Sequence, residues 1–242
     1  MTDRKKMMLR RAANIIWTNE CPVCHKLLEW DELLCEDCSN KLDITDLKLC
    51  PICSKQTCLD HTALKFSRVY AQCLYEDSVV NAIYDLKNGL TLNLAEYAAK
   101  ELSLQMKEDG TARQIDLVTS VPMHFLKKQD KNINDADKLA KFFSSELDKP
   151  CDLKLLGKKR TKTVQHRLTA AQRKENAERS FFILPKHADI TGKTLLLCDD
   201  VYTTGSTLNT CAGLLLEMGA DEVICAAIAT TRLEHERDKK TD

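Results

Sequence analysis

No run in this 242-residue sequence is long and apolar enough to span a bilayer, no secretory-type apolar core follows its first residues, and neither sign of charge is in excess. The first absence excludes a helical membrane protein. The second arises because Arg4, Lys5, Lys6, Arg10 and Arg11 interrupt the apolar positions before Trp17, so a cytoplasmic protein is expected. The third, 36 basic against 36 acidic residues, argues against a uniformly basic nucleic-acid binder. Aromatic residues are also missing between Cys151 and Ser180, although that interval carries Lys154, Lys158, Lys159, Arg160, Lys162, Arg167, Arg173, Lys174 and Arg179. Such a stretch attracts polyanions but offers no ring on which a base could stack.

What is present in excess is cysteine, and it is unevenly placed. Seven of the twelve cysteines lie between Cys21 and Cys58, whereas Cys73, Cys151, Cys198, Cys211 and Cys225 are scattered singly. Cys21-Pro22-Val23-Cys24 and Cys50-Pro51-Ile52-Cys53 form an internal repeat, and each is answered by a later pair, Cys35/Cys38 and Cys58/His61. Two residues between ligands let one chain reversal aim both side chains at a single tetrahedral ion, and two reversals close a four-ligand site. In a reducing compartment paired cysteines are metal ligands more often than disulfides. One or two structural zinc ions are therefore expected, in sequence order on Cys21, Cys24, Cys35 and Cys38 and then on Cys50, Cys53, Cys58 and His61. A crossed pairing is the alternative; buried or redox-active thiols are the plainer one.

Three segments follow from these patterns. Residues 1–18 hold a short amphipathic helix, with Met8, Ala12, Ile15 and Ile16 at helical spacing. Residues 19–64 form the zinc-binding module, and residues 65–242 the main domain. In the latter, Val69, Ala71, Cys73 and Tyr75 alternate as in a strand, and helical patterns run from Asp77 to Gly89 and from Leu92 to Met106. Strands are predicted at 115–121, 194–198 and 222–230, and helices at 134–147 and 206–218. Continuous apolar strands alternating with helices indicate an α/β fold with a parallel sheet covered on both faces. Residues 150–180 have weak periodicity and much charge, and read as a long, flexible basic loop with a functional role.

Residues 195–207 carry the chemistry. Leu-Leu-Leu-Cys-Asp-Asp-Val-Tyr-Thr-Thr-Gly-Ser-Thr is a buried strand, two acids and a hydroxyl-rich turn that opens a helix. At the carboxyl end of a parallel strand this turn lies where open α/β sheets bind ligands. Backbone N–H groups and the helix dipole can cradle a phosphate there, and Gly205 lets the backbone approach it. Thr203, Thr204, Ser206 and Thr207 add hydroxyls. Two adjacent carboxylates would repel a bare phosphate, so Asp199 and Asp200 are assigned to ribose hydroxyls, with Mg²⁺ expected if a pyrophosphate is attached. A strand end with an ordinary helix N-cap at Thr203 or Thr204 would account for only one or two of these residues.

This run resembles the 5-phosphoribosyl-1-pyrophosphate (PRPP) loop of type I phosphoribosyltransferases. The resemblance implies ribose contacts from Asp199 and Asp200 and 5′-phosphate contacts from residues 203–207; Tyr202 stands where an aliphatic residue is usual. Together with the cysteine pairs, Tyr84-Asp85-Leu86-Lys87-Asn88-Gly89, Val121-Pro122-Met123-His124 and Gln165–Phe181, the chain resembles the ComF family of late competence proteins from about Cys21 to Arg232. That resemblance implies a part in DNA uptake during natural transformation, single-stranded DNA as a partner and a helicase-like ATPase beside it. The chain departs from the family at Lys131-Asn132-Ile133-Asn134-Asp135, where Arg-Gly-Phe-Asn-Gln is expected and only Asn134 is retained.

By the same resemblance, Pro122, Met123 and His124 mark a pyrophosphate loop, followed by Lys131. Arg160, Gln165, Arg167 and Arg173 fall in the loop that closes over PRPP, where they would exclude water and balance charge. The same residues could track a nucleic-acid backbone. Two functions remain open at this point: a DNA-handling protein with PRPP as ligand, and an active transferase moving phosphoribosyl from PRPP to an unidentified acceptor. No base-reading constellation is identified in residues 62–110.

Overall fold

The computed structural model describes residues 18–42, 44, 50, 52–54, 61–123, 134–159, 180–185 and 187–231. The helix expected over residues 4–17, together with Cys58, His124, Lys131, Arg160, Gln165, Arg167 and Arg173, lies outside them.

A four-stranded parallel sheet organises the chain, in the order β1-β6-β5-β2, where β1 is Arg68–Leu74, β2 Leu117–Ser120, β5 Thr194–Tyr202 and β6 Glu222–Thr230. Between β1 and β2 run α2 (Asp77–Lys87), α3 (Asn93–Glu108) and the single turn α4 (Thr111–Gln114). The helix α5 (Asp135–Leu147) follows β2, and α6 (Ser206–Glu217) crosses from β5 to β6. A short helix, α1 (Glu36–Leu42), belongs to the cysteine-rich region.

Both faces of the sheet are buried, and the side-chain alternation of a strand assigns each residue to one of them. Leu196 and Cys198 of β5 with Ile224, Ala226 and Ile228 of β6 pack toward α2, α3 and α5. Leu195 and Leu197 with Val223, Cys225 and Ala227 pack toward α6. Continuous apolar strands are what such a two-faced parallel sheet demands.

Two elements differ from the sequence reading. The strand β5 continues four residues beyond Cys198, because Asp199 and Val201 stay in register with Ala227 and Ala229 of β6. Leu156–Lys158, inside the stretch read as a charged loop, forms β3 and pairs antiparallel with β4, Phe181–Ile183. Gly157 leaves room there for the Phe182 ring, which a Cβ at 2.5 Å would force to shift. The cysteine-rich region joins the main core directly. Cys21, Leu34, Cys35, Cys38 and Leu42 are buried in the same cluster as α2 and α3, and Ser39 Oγ lies 2.8 Å from Tyr97 Oη on α3.

Candidate functional site: a cleft at the carboxyl edge of the sheet

A cleft of about 530 Å³ opens at the carboxyl ends of β2 and β5. Five of the residues singled out from sequence line it together: Pro122, Met123, Asp199, Asp200 and Thr207. Thr203 and Thr204 are exposed on the adjoining turn, and Gly205 is buried at the cap of α6. The turn holds itself through local bonds: Thr204 Oγ1 lies 3.2 Å from Ser206 Oγ, and the Ser206 N–H donates to Thr204 Oγ1 at 3.4 Å. The N–H groups of the first turn of α6 have no intrahelical acceptor, which is the condition for holding an anion.

Gly205 has φ +78°, and a Cβ there would sit 2.8 Å from Cε2 of Tyr202. Backbone conformation and packing therefore both select glycine. Gly205→Ala is expected to shift the turn, costing about 1–3 kcal/mol of stability from the strained backbone. Denaturant unfolding measures the effect, and a wild-type value would contradict this account of the turn.

The cleft also contains residues that the sequence did not single out as a site. Lys87, at the last turn of α2, places Nζ 2.7 Å from Asp200 Oδ2. Burial alone would lower the Lys87 pKa, but the hydrogen bond and charge of Asp200 reverse the effect and hold it above its ordinary value. Asp199 is pushed well above the usual carboxylate value, first by burial and then by the charge of Asp200. The paired acids are thus unequal: Lys87 neutralises Asp200, while Asp199 resists ionisation. Lys158 of β3 reaches the cleft as well, with its ammonium 4.6 Å from the Phe181 ring centroid. Lys87 lies within the six-residue stretch that carried part of the family resemblance, so a signal existed, but no local pattern linked it to Asp200.

The helix α5 braces this arrangement. Lys138 is buried and donates to the Leu86 carbonyl at 2.8 Å and to Asp135 Oδ1 at 2.9 Å, tying α5 to the turn that bears Lys87. Asn134 donates to the Val121 carbonyl at 2.8 Å, and Ser120 Oγ donates to Asp137. The acid at position 135, unusual against the family pattern, has its charge met by Lys138.

Away from the cleft, the sulfur atoms of Cys21, Cys24, Cys35 and Cys38 all lie within 4.8 Å of one another. Cys24 Sγ and Cys35 Sγ are 3.6 Å apart, close to the edge of about 3.8 Å that a tetrahedron with Zn–S bonds of about 2.3 Å requires. Burial, then the neighbouring thiols, push Cys38 up, whereas the Lys26 N–H, helped by Cys38, lowers exposed Cys24 to about 7. Four sulfur donors in this geometry fit a closed structural zinc site. Cys50, Cys53 and His61 form a second group, with Cys50 Sγ 3.5 Å from His61 Nε2.

The two cysteine repeats share a backbone as well as a spacing. The N–H of His25 donates to the Cys21 carbonyl at 2.8 Å, and that of Ser54 to the Cys50 carbonyl at 2.8 Å. Both residues have positive φ, 60° and 46°. This is the tight reversal the sequence spacing called for.

Residues 136–242 match the phosphoribosyl transferase domain family. Over 207 residues, 84% of this chain and 86% of the other, the sequence is 28% identical to the DNA utilization protein YhgH of Escherichia coli K12. It is 28% identical over 128 residues to competence protein F of Haemophilus influenzae, covering 52% of this chain and 56% of that one. Against competence protein ComFC of Bacillus subtilis it is 22% identical over 206 residues, 80% and 82% of the two chains. No helix among the described residues is long and apolar enough to cross a membrane.

Proposed function

We propose, from the premise that the chain fits the ComF family of competence and DNA-utilization proteins, that it binds PRPP and handles single-stranded DNA. The observation that carries the ligand reading is the meeting of Asp199, Asp200, Lys87 and Thr207 around one cleft beside the hydroxyl-rich turn. In this reading the turn and the start of α6 hold the 5′-phosphate, and the two acids accept ribose hydroxyls. Pro122 and Met123 flank the pyrophosphate side, which Lys158 approaches; His124, Lys131, Arg160, Gln165, Arg167 and Arg173 are proposed to complete it. Mg²⁺ bound with the pyrophosphate would offset part of its charge. Zinc on the cysteine groups is assigned a structural part, because the first group is closed by four sulfurs. A zinc-binding module over 19–64 and a ligand-binding domain over 65–242 is the proposed division of labour.

The DNA part is supported by the names of the relatives and by the aromatic-free basic stretch, which would engage phosphates rather than bases. A helicase-like partner and a cytoplasmic setting belong to the same proposal. The test is calorimetric titration of the zinc-loaded chain with PRPP and Mg²⁺, with and without a short single-stranded oligonucleotide. PRPP binding that shifts DNA affinity supports the reading, and no PRPP binding overturns it.

Asp199 supplies a separate check. Its carboxyl sits well above the ordinary value in the free protein, and hydroxyl donors or a cation would favour the ionised form. Binding should then release up to one proton wherever Asp199 is protonated in the free protein, and affinity should rise with pH until Asp199 is ionised in the free state. Titrations in two buffers of different ionisation enthalpy, repeated across a pH series, measure the proton count; a count of zero at every pH would contradict the ionisation of Asp199 on binding.

A further inference from the structure

Two residues around the turn are left unexplained by ligand contacts. Tyr202 is buried and packs edge-on against Phe66, with ring centroids 6.4 Å apart and planes at 84°. Asn209, two residues past Thr207 on α6, spends its amide on a distant segment. Its Oδ1 accepts the Lys65 N–H at 2.6 Å, and its Nδ2 donates to the Ala63 carbonyl at 3.2 Å. Ala63, Lys65 and Phe66 all belong to the short connection from His61 of the second cysteine group to β1.

That connection is secured at both ends. The Leu64 N–H closes a turn onto the His61 carbonyl at 3.0 Å, and the Val69 N–H of β1 donates to the Ile52 carbonyl at 2.9 Å. Ser54 Oγ donates to the Val69 carbonyl. A physical path therefore runs from the second cysteine group through residues 61–66 to Asn209 and Tyr202. The Tyr202 ring in turn lies directly against the Gly205 position of the turn.

We infer that Asn209 and Tyr202 are positioning residues through which a metal held by Cys50, Cys53 and His61 sets the conformation of residues 203–207. An ion fixing His61 fixes the segment that Asn209 grips and that Phe66 presents to Tyr202. An aliphatic residue at 202 would fill the same space but would offer no ring edge to Phe66. Binding at the metal group and binding at the turn must then be linked, and the linkage is reciprocal. The ligand arm of the test rests on the reading of 203–207 as a phosphate site; the conformational arm does not.

The experiment is amide hydrogen exchange on the full zinc-loaded chain, with metal content measured in parallel, for wild type, His61→Ala and Asn209→Ala. His61→Ala should lose the second metal, and Asn209→Ala should keep it. Both should accelerate exchange about tenfold at residues 209–212, whose N–H groups bond back onto the carbonyls of 205–208, beginning with that of residue 209 onto Gly205 at 2.8 Å, with the central β6 amides unchanged, as expected for local opening. In wild type, PRPP with Mg²⁺ should slow zinc loss to a chelator from the second group, and Asn209→Ala should remove that protection. Unchanged exchange at 209–212 in Asn209→Ala overturns the inference, even if His61→Ala does not fold. Faster exchange without any PRPP binding to wild type leaves the brace standing and removes the ligand reading alone.

Discussion

Replacing Asp199 and Asp200 together with alanine is expected to abolish PRPP binding, an effect of at least about 100-fold, or about 2.7 kcal/mol. The change removes both proposed ribose acceptors and also the ion pair that Asp200 makes with Lys87 at 2.7 Å. The single substitutions should separate the roles. Asp200→Asn removes the charge that Lys87 meets at 2.7 Å and should weaken binding while altering its salt dependence. Asp199→Asn mimics the protonated form that burial and the Asp200 charge favour. The sign for stability follows from that upward shift: an Asp raised above its unfolded value costs stability as pH rises past that value toward the folded one. Asp199→Asn should therefore fold at least as stably as wild type at neutral pH while binding PRPP poorly. Calorimetric titration and denaturant unfolding check the pair of outcomes, and full PRPP affinity in the double variant would sink the ligand assignment.

The second large effect concerns the first cysteine group. Cys38→Ser is expected to lose one zinc equivalent and to destabilise more than the small module around it. Structural zinc contributes about 10–16 kcal/mol in isolated zinc-finger peptides at neutral pH. Here Cys21, Cys35 and Cys38 are buried in the same cluster as Leu94, Ala98 and Leu102 of α3, so opening the group uncovers the outer face of the main core. The expected readings are one metal ion fewer by elemental analysis and a lower, broader thermal transition. An unchanged transition with one ion lost would mean that the module and the sheet are energetically independent.

The fold was legible because Leu195–Cys198 of β5 and Val223–Ala229 of β6 are unbroken apolar runs and because Gly89 and Gly219 follow the helices they end. The end of β5 was harder to read. Asp199 and Asp200 resemble a strand terminus, since acids are depleted in strands, yet the backbone continues because β6 offers a full parallel partner as far as Thr230. The ribbon of β3 and β4 was hidden because each strand is three residues long and their sequences are more than 20 positions apart.

The site divides in the same way. Asp199, Asp200 and the turn 203–207 form one continuous signal in sequence. Lys87 meets Asp200 across more than 100 positions, and no periodicity encodes such a pairing. Lys138 and Asp135 stand at i,i+3 spacing, which reads as an ordinary surface ion pair until burial and the bond to the Leu86 carbonyl are seen. The shared knuckle backbone, by contrast, was implied by the repeat itself.

The strand order also has a consequence for synthesis. Among the described strands β1 pairs with β6 alone, and Arg68 meets Ile224. At about 5–20 residues per second, a translating ribosome leaves β1 without a sheet partner for roughly 10–30 s. Among the described residues made in that interval, those of α2 and α3 share a buried cluster with Tyr70 and Cys73 and can shield the nascent Val69–Leu74 edge. Early metal capture at the knuckle that grips Val69 would thus act as a guard on a growing chain.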